Sequence, residues 1–370
     1  MRRTHTLVSS LLLLAAGAAT LPALEVGPDG SGLQIGGWGE ALVRGEHHDA
    51  RNPKNSQAGT PGAEDEDDID FSADALLKAS YQVDQFSLRL DVFISNEPQF
   101  NDAENDGNNV ILEQAFVDWK FHDRATLRAG RFLSTWIGWE GYHSPDLFRV
   151  NNSAVWSWNV RDHGQLKNRP FLSDGVSLAL TAPEDPLTLS FFIVEDVLGD
   201  APDAEGTDLA YGVNLTWVPH WLGQVELGAV YDAKSMTEGV GTGGVDGAAI
   251  DFNVDITTWQ DAGWFFAGEV QYHFHGDLAA PTADREFGDA LMWLVMANYS
   301  ITDEVSLTLM VDRVDRGLDL DNNEILEVAV AVLTKPHKQV QLNFEVFHWD
   351  ESAPNADAYG AAAVLLVMLP

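Results

Sequence analysis

Hydrophobic and polar residues alternate one by one along most of this chain. In the stretch VQLNFEV, residues 340–346, every second residue is apolar, and the same alternation recurs in residues 305–312 and 250–256. Successive side chains of a β-strand point to opposite faces, so each stretch predicts a strand with one apolar and one polar face.

Sixteen segments of this kind follow one another, and most of them are about 10 to 13 residues long. They start near residues 32, 69, 84, 109, 124, 172, 186, 208, 222, 246, 262, 288, 303, 323, 336 and 357. Short turns, such as VDQ near Asp84 and KPHK near Pro336, alternate with long connections rich in Gly, Asp and Asn. One end of the molecule is therefore predicted to carry tight turns and the other end eight loops.

This sorting of connections is typical of a bacterial outer-membrane barrel, which has an even strand number, short periplasmic turns and long extracellular loops. A tilted strand of ~9–11 residues crosses a bilayer, and the bilayer requires a sheet without open edges. We therefore predict an all-β fold, a transmembrane antiparallel up-and-down β-barrel of about 16 strands, wide enough for a water-filled lumen. Aromatic residues near the predicted strand ends fit interfacial girdles, although a soluble β-core is the alternative reading: Trp119, Phe121, Trp217, Trp221, Trp259, Trp264, Tyr299 and Trp349.

The N-terminus has the pattern of a secretory signal. Arg2 and Arg3 precede an apolar run that is too short to span a membrane as a helix, and small residues follow it. We expect cleavage between Ala18 and Ala23, so that residues 1–23 are the signal peptide and residues 24–370 form a single barrel domain. No later segment is apolar enough for a spanning helix, which excludes a helical membrane protein.

Charge and composition narrow the possible partners. The formal net charge is −36, and loss of Arg2 and Arg3 makes the exported chain still more acidic. Such a chain is expected to avoid nucleic acid and to attract cations. It contains no cysteine, so neither a disulfide framework nor a thiolate metal site is expected.

The third long connection, residues 136–171, differs from the others. It is long for a segment without strand pattern, and it is too rich in Trp and Phe for disorder. We interpret it as a loop that folds into the lumen and constricts it; a surface loop packed on its own aromatics and a plug that shuts the lumen are the alternatives. The candidate constriction residues, including one on the preceding strand, are Arg131, Trp136, Trp139, Glu140, His143, Asp146, Arg149, Arg161, Lys167 and Arg169.

The same region resembles the OmpL-like "putative β-barrel porin" family over about seventy residues. A strand that ends in Gly, a basic residue and Phe leads to Gly-aromatic-Glu, then to Ser-Pro-Asp, and finally to a Pro before a Gly-Val strand. The matching positions are Gly130, Arg131, Phe132, Gly138, Trp139, Glu140, Ser144, Pro145, Asp146, Pro170, Gly175 and Val176. The resemblance implies an outer-membrane channel for small solutes in a Gram-negative bacterium, and it names no solute.

The C-terminal stretch departs from the usual barrel pattern, because it ends in VLLVMLP instead of an aromatic residue. The last predicted strand is apolar on both faces. We expect its inner side to pack against the constricting loop or the N-terminal segment.

If the apolar faces meet lipid, the polar faces line water, and charged lipid-facing positions would be costly. The predicted lumen wall then carries Arg89, Asp91, Asp118, Lys120, Arg128, Glu226, Asp232, Asp251, Asp255, Glu269, Asp312, Glu327 and Glu345. This wall is net acidic, and rings of Asp and Glu favour cations. We therefore predict a weakly cation-preferring channel; the alternative is that these charges only keep a wide pore wet.

Metal and catalytic signals are weak. Residues 102–113 come close to a calcium loop through Asp102, Asp106 and Glu113, but strand patterns flank them where an EF-hand needs helices. His273 and His275 share a strand face without an evident third ligand. No nucleophile elbow, zinc-protease motif or phosphate loop is present in the sequence, so we expect neither a cofactor nor an enzyme.

The sequence thus predicts a porin that forms a passive aqueous channel for small hydrophilic solutes or ions. The alternatives are a substrate-specific porin and, from other classes, a barrel with a hydrolytic or a structural and adhesive role. Outer-membrane lipid and lipopolysaccharide are the expected surroundings, reached by export through the signal peptide. A homotrimer is common among porins of this size, although no residue marks a subunit interface.

Overall fold

The computed structural model describes residues 24–25, 32–48, 66–95, 110–133, 172–182, 186–195, 209–236, 245–257, 263–275, 290–315, 324–351 and 356–369. Its strands are β1 (Leu24–Glu25), β2 (Leu33–His48), β3 (Glu66–Val83), β4 (Phe86–Ser95), β5 (Val110–His122), β6 (Ala125–Leu133), β7 (Leu172–Thr181), β8 (Leu187–Glu195), β9 (Leu209–Trp217), β10 (Gly223–Met236), β11 (Val245–Ile256), β12 (Trp264–His275), β13 (Ala290–Ser300), β14 (Val305–Asp315), β15 (Glu324–His337), β16 (Val340–Glu351) and β17 (Ala356–Leu369).

Sixteen of these strands form one closed antiparallel barrel. Each strand from β2 to β16 pairs with the next strand along the chain, and β17 pairs with β2 from Leu369 opposite Gly37 to Ala358 opposite His48. The short strand β1 pairs with β2 just beyond this seam, with Leu24 opposite Ile35. The predicted fold class and strand number are confirmed.

The connections are sorted as the sequence predicts. Two-residue turns at Asp84–Gln85, Asp123–Arg124 and Lys338–Gln339 join strand pairs at one end of the barrel. Asp84 adopts a positive φ of 51°, a conformation that Asp tolerates better than most residues do. The long connections all leave from the opposite end. Among the described residues there is no helix long and apolar enough to cross a membrane.

The outer face of the barrel is apolar. Residues directly opposite each other in an antiparallel pair share a face, and the outward ladder positions expose large hydrophobic side chains such as Val295, Phe344 and Val346 at 55 to 58%. At the short-turn end these side chains include aromatic pairs, for example Trp264 and Tyr299, whose ring centroids are 4.6 Å apart. This is the arrangement expected of a lipid-facing surface with an aromatic girdle.

One of the predicted girdle residues lies on the other face of the barrel wall. Trp349 lies opposite Glu327 on the inward face and is only 7% exposed, so its assignment to the girdle is wrong. Residues an even number of positions apart in a strand share a face. Trp349 is four residues from Glu345, which points inward, and three from Val346, which points outward. Trp259 lies outside the described residues.

The inward face is more apolar than the sequence predicts. On β13 and β14, Met292, Leu294, Met296 and Met310 point inward and are at most 4% exposed. A second inward cluster joins the last strand to the first ones through Trp38, Leu76, Phe93 and Leu366. The inner side of β17 therefore packs, within the described part of the chain, against apolar side chains of β2 to β4.

Candidate channel lumen

The lumen wall is built from alternate positions of every barrel strand. With strands about 4.8 Å apart and tilted by about 40°, sixteen strands enclose a cylinder about 30 Å across between opposite backbones. Side chains from opposite walls are too short to meet across that distance. The chemistry of the lumen is therefore set locally, by neighbouring side chains on adjacent strands.

Strands β2 to β6 form an arc in which positive and negative side chains are paired, which we call the paired arc. Arg44 lies 3.3 Å from Glu46 along β2. On β4, Arg89 Nη2 lies 2.7 Å from Asp91, and between β5 and β6 Arg128 Nε lies 2.7 Å from Asp118. The charges of this arc are thus largely neutralised within the wall.

Asp91 is the most completely enclosed carboxylate of the paired arc, with no exposed surface. Arg89 donates to Asp91 Oδ2 through Nε at 2.9 Å and through Nη2 at 2.7 Å. Gln114, on the neighbouring strand, donates to the same oxygen at 3.1 Å. Charge-assisted hydrogen bonds of this kind are about twice as strong as neutral ones, so they fix both Arg89 and Gln114.

Strands β10 to β16 form a contrasting arc, which we call the acidic arc. Its inward positions carry carboxylates, namely Glu226, Asp251, Asp255, Glu269, Asp312, Glu327 and Glu345. Among the described inward positions that are paired in register on β7 to β16, none is Lys or Arg. Two lysines lie within register shifts and are therefore outside these pairs: Lys335 between Thr334 and His337 of β15, and Lys234 between Asp232 and Met236 of β10.

Asp312 and Glu327 illustrate the acidic arc, because they lie directly opposite each other on β14 and β15 and neither has exposed surface. Glu226, Asp255 and Glu269 lie together on three adjacent strands, with Asn253 between Glu226 and Glu269. Like charges this close, taken out of water, require positive charge or protons nearby.

The structure places most of the predicted wall residues on the inward face. Arg89, Asp91, Asp118, Arg128, Glu226, Asp251, Asp255, Glu269, Asp312 and Glu345 all share that face by strand register. Lys120 lies at the short-turn end of β5, past the register shift after Trp119, and it is exposed.

Arg131 is the predicted constriction residue that needs correction. It lies on strand β6 and pairs with Ala115 and Asp174, on the face opposite to that of Arg128 and Phe132. Because Arg128 and Phe132 point inward, Arg131 points outward, where its Nη1 lies 3.9 Å from Asp174. The assignment of Arg131 to the constriction is therefore wrong, because its position in strand β6 directs its side chain away from the lumen.

The remaining predicted site residues lie outside the described part of the chain. These are Trp136, Trp139, Glu140, His143, Asp146, Arg149, Arg161, Lys167 and Arg169 of the predicted constriction, and Asp102 and Asp106 of the calcium-like segment. Glu113 lies in strand β5, and His273 and His275 lie in β12, without described side chains. In the described ranges no group of three or more His, Asp or Glu side chains could hold a metal ion.

Sequence reasoning missed the charged residues of β2 and β3. Glu40, Arg44, Glu46 and Lys78 occupy inward positions. The outward positions of β2 are Gly39, Ala41, Val43 and Gly45, while Trp38 and Leu42 point inward. The usual contrast of bulky apolar against polar residues is therefore blurred on this strand, and only the spacing of Glu40, Arg44 and Glu46 signals the inner face.

Comparison with known proteins places the chain among porins. The profile of the family described as "Putative beta-barrel porin-2, OmpL-like" matches residues 32–309. No curated protein sequence matches the chain. Among solved structures, the anion-selective porin from Comamonas acidovorans is 12% identical, with a TM-score of 0.65 over 91% of this chain and 99% of that one.

Two further structures share the fold. The outer membrane channel DcaP of Acinetobacter baumannii is 11% identical, with a TM-score of 0.60 over 92% of this chain and 98% of that one. The trimer form of OmpT, an outer membrane protein of Vibrio cholerae, is 14% identical, with a TM-score of 0.54 over 90% of this chain and 99% of that one. At these identities the similarity shows the shared barrel architecture alone.

Proposed function

The chain belongs to the "Putative beta-barrel porin-2, OmpL-like" family and is a passive outer-membrane channel, through which, we propose, small hydrophilic solutes and ions pass with a weak preference for cations. The single observation that carries the preference is the composition of the two arcs. Three arginines of the paired arc are matched by carboxylates, whereas the acidic arc adds carboxylates without Lys or Arg among its described, register-paired positions.

The preference is expected to be weak for two reasons. Salt screens charges separated by more than about 10 Å at 0.1 M ionic strength, which is less than the width of the barrel. Several of the carboxylates are also fully enclosed, so they act on the solution less strongly than exposed charges do. The fold does not dictate the selectivity, since the similar porin from Comamonas acidovorans is anion-selective.

The test is the reversal potential of single channels in a planar bilayer with a tenfold KCl gradient. A potential of the sign that indicates potassium permeation supports the proposal. A potential that indicates chloride preference, or none, contradicts it. Measurements at low and high salt check that the preference is electrostatic, because it should shrink as the salt concentration rises.

We also propose that residues 136–171 narrow the lumen. Sequence supports this, because the segment carries four tryptophans and is the one long connection between strands with more Lys and Arg than Asp and Glu. Such a segment complements an acidic arc that lies beside an apolar inner surface of methionine and leucine. Arg149, Arg161, Lys167 and Arg169 would supply its positive charge.

Deletion of residues 136–171, with a short Gly-Ser link from β6 to β7, tests the constriction. The conductance of the deletion variant should exceed that of the whole chain, and larger neutral sugars should enter proteoliposomes faster. A matched deletion of residues 196–208, a long connection without aromatic residues, serves as the control. Equal conductance of the variant and the whole chain would exclude a constricting role.

A passive channel needs no catalytic group, and we propose that the protein is not an enzyme. Hydrolysis of ester or peptide substrates by the purified protein would overturn this. A substrate-specific porin is the second candidate, and saturation of flux by one solute would favour it. A plugged barrel with a structural or adhesive role would show no conductance.

Three proposals concern the cellular setting. Residues 1–23 act as a signal peptide, which the N-terminal mass of the exported protein would test. The barrel assembles as a homotrimer in lipopolysaccharide-containing membrane, as the trimer form of the similar Vibrio cholerae protein supports. Native mass spectrometry of protein extracted from the outer membrane would give the subunit number and any lipopolysaccharide that remains bound.

A further inference from the structure

One part of the acidic arc has the organisation of a binding site. On β9 to β12, six inward side chains form a continuous surface that we call the acceptor patch: Thr216, Gln224, Glu226, Asp255, Glu269 and Gln271. Glu226 lies opposite Asn253, which in turn lies opposite Glu269. Adjacent strands are about 4.8 Å apart, so the two glutamates belong to one surface about 10 Å wide.

In each glutamate of the patch, one carboxylate oxygen, Oε1, is the hydrogen-bond acceptor for neighbouring Gln or Thr side chains. Gln224 donates to Glu226 Oε1 at 2.9 Å. The Thr216 hydroxyl lies 3.3 Å from the same oxygen and makes its shorter hydrogen bond, at 2.9 Å, to Asn214 Oδ1. Gln271 donates to Glu269 Oε1 at 2.5 Å. The neutral donors therefore fix the direction of both carboxylates while the second oxygen of each receives none of these bonds.

The second oxygen of Glu269 is the decisive feature. Glu269 is 2% exposed, and its Oε2 is buried without a hydrogen-bond partner among the described residues. The neighbours that act on Glu269 electrostatically are themselves carboxyl groups: Asp251 within hydrogen-bond reach, and Asp255 and Glu226 through space. Two ionised carboxylates cannot donate to each other, so Glu269 and Asp251 need either a proton shared between them or a cationic donor.

The patch opens toward one end of the channel. Glu226 and Asp255 lie near the short-turn ends of β10 and β11 and are partly exposed, whereas Glu269 lies five residues into β12 and is enclosed. Short turns face the periplasm in outer-membrane barrels. A ligand would thus approach from the periplasmic side, along the partly exposed carboxylates of Glu226 and Asp255, and end at Glu269.

We propose that the acceptor patch binds the primary ammonium group of organic cations that enter from the periplasmic side. An ammonium group carries three donors and one positive charge, which matches the neighbouring carboxyl groups of Glu269 and Asp251, because no positive charge is among the groups that act on Glu269. The described side chains offer no cluster that could hold a metal ion, which favours an organic cation over a bare divalent one. This inference deepens the proposed cation preference and rests on it.

The apolar surface beside the patch offers contacts for the carbon chain of an organic cation. Leu294 lies opposite Glu269, and Met292 lies opposite Gln271, both on the neighbouring strand β13. Methionine is flexible and polarisable, so it adapts to aliphatic ligands of different length. An aliphatic amine can therefore place its ammonium group at Glu269 and its carbon chain toward β13.

The test is block of single-channel current by 1,4-diaminobutane added to one side at a time. Protein orientation is read from a Lys338→Cys variant in the short turn, which a membrane-impermeant maleimide reaches only from the periplasmic side. We expect half-block at a several-fold lower concentration from the periplasmic side, because the patch lies near that mouth and its occupancy follows the amine concentration on the nearer side. Tetramethylammonium, which has the charge but no N–H donor, should block equally weakly from both sides.

Single substitutions test which carboxylates cause the block by 1,4-diaminobutane. Glu269→Gln and Glu226→Gln should each raise the periplasmic half-blocking concentration about tenfold, while Glu345→Gln, which removes the same charge from β16, should leave the sidedness intact. Equal block from both sides by the unaltered channel, for which no variant is needed, would overturn the inference, as would block that survives both substitutions. The reversal potential in plain KCl is recorded in the same experiment, so a lost cation preference is distinguished from a missing amine site.

Discussion

Arg128 and Asp118 face each other across β5 and β6 as a two-point ion pair, with Nε 2.7 Å from Oδ1 and Nη2 3.1 Å from Oδ2. The guanidinium group also lies 4.0 Å above the ring centroid of Phe116. Stacking and two parallel hydrogen bonds fix an arginine more firmly than either contact alone. The carboxylate of Asp118 thereby neutralises one positive charge of the lumen wall.

Breaking this pair should change ion selectivity in opposite directions. Asp118→Asn leaves Arg128 as an unmatched cation and should lower the ratio of cation to anion permeability. Arg128→Gln should raise that ratio. Stability should change by no more than about 1 kcal/mol, since both groups retain some contact with water. Reversal potentials of the two variants check the signs, and shifts in the same direction for both would show that the pair is not part of the conducting wall.

Asp91 is expected to contribute more to stability than Asp118 does. Asp91→Ala removes the common acceptor of Arg89 and Gln114, and Gln114 is 4% exposed and cannot turn to water. A buried donor left without a partner costs about 1–3 kcal/mol, and the 39% exposure of Arg89 puts the loss toward the lower part of that range.

Urea titrations of barrels folded into lipid vesicles would measure this loss. Asp118→Ala, in which the arginine keeps its contact with the Phe116 ring, is the matched control and should lose less. Equal losses would mean that Asp91 and its partners are solvated in the barrel.

Gly212 leaves room for a buried aromatic ring. A Cβ atom added at Gly212 would lie 1.8 Å from the Phe192 ring, and Phe192 is 2% exposed. Gly212→Ala should therefore destabilise the barrel by about 1–3 kcal/mol through overpacking.

The double variant Gly212→Ala with Phe192→Leu should recover most of that loss, because leucine withdraws from the contact. Gly45→Ala, where nothing lies within 4 Å of the added atom, is the control. Additive losses in the double variant would contradict the packing explanation.

The lipid-facing assignment predicts a strong asymmetry between the two faces. Val295 points outward near the middle of β13 and is 55% exposed, so Val295→Arg should cost about 2–4 kcal/mol in bilayer folding. Ser190→Arg, at a partly exposed inward position of β8, should cost much less. Folding yields and urea midpoints in vesicles check the difference, and a Ser190→Arg loss as large as that of Val295→Arg would contradict the assignment.

The sequence predicts the barrel well because period-two alternation is a local signal. Strand starts such as Leu172 and Glu324 fall within a residue of the predicted ones, and the sorting of turns and loops follows from spacing alone. Because successive side chains alternate between the two faces of a strand, residues such as Glu226 and Asp312 can be assigned to the inner face from their positions in the sequence. Strand parity likewise could have corrected Arg131, which lies one residue from inward-facing Phe132.

The arrangement of partners could not be predicted in the same way. Arg89, Asp91 and Gln114 meet because β4 and β5 pair with a register shift between Asp91 and Val92, and no local pattern reveals that shift. Sequence alone does not place Trp349, because a tryptophan near a strand end fits a girdle and a lumen equally well. The inward methionines of β13 cannot be identified from the sequence, since that strand is apolar on both faces and alternation gives no sign of its orientation.

The most direct test of the whole account is the accessibility of spin labels at four consecutive positions of β8. The chain has no cysteine, so single variants Thr188→Cys, Leu189→Cys, Ser190→Cys and Phe191→Cys can be labelled without background. In lipid vesicles, labels at Leu189 and Phe191 should collide with dissolved oxygen, and labels at Thr188 and Ser190 should collide with a water-soluble nickel chelate. A reversed alternation, or none, would contradict a barrel whose apolar face meets lipid and whose polar face meets water.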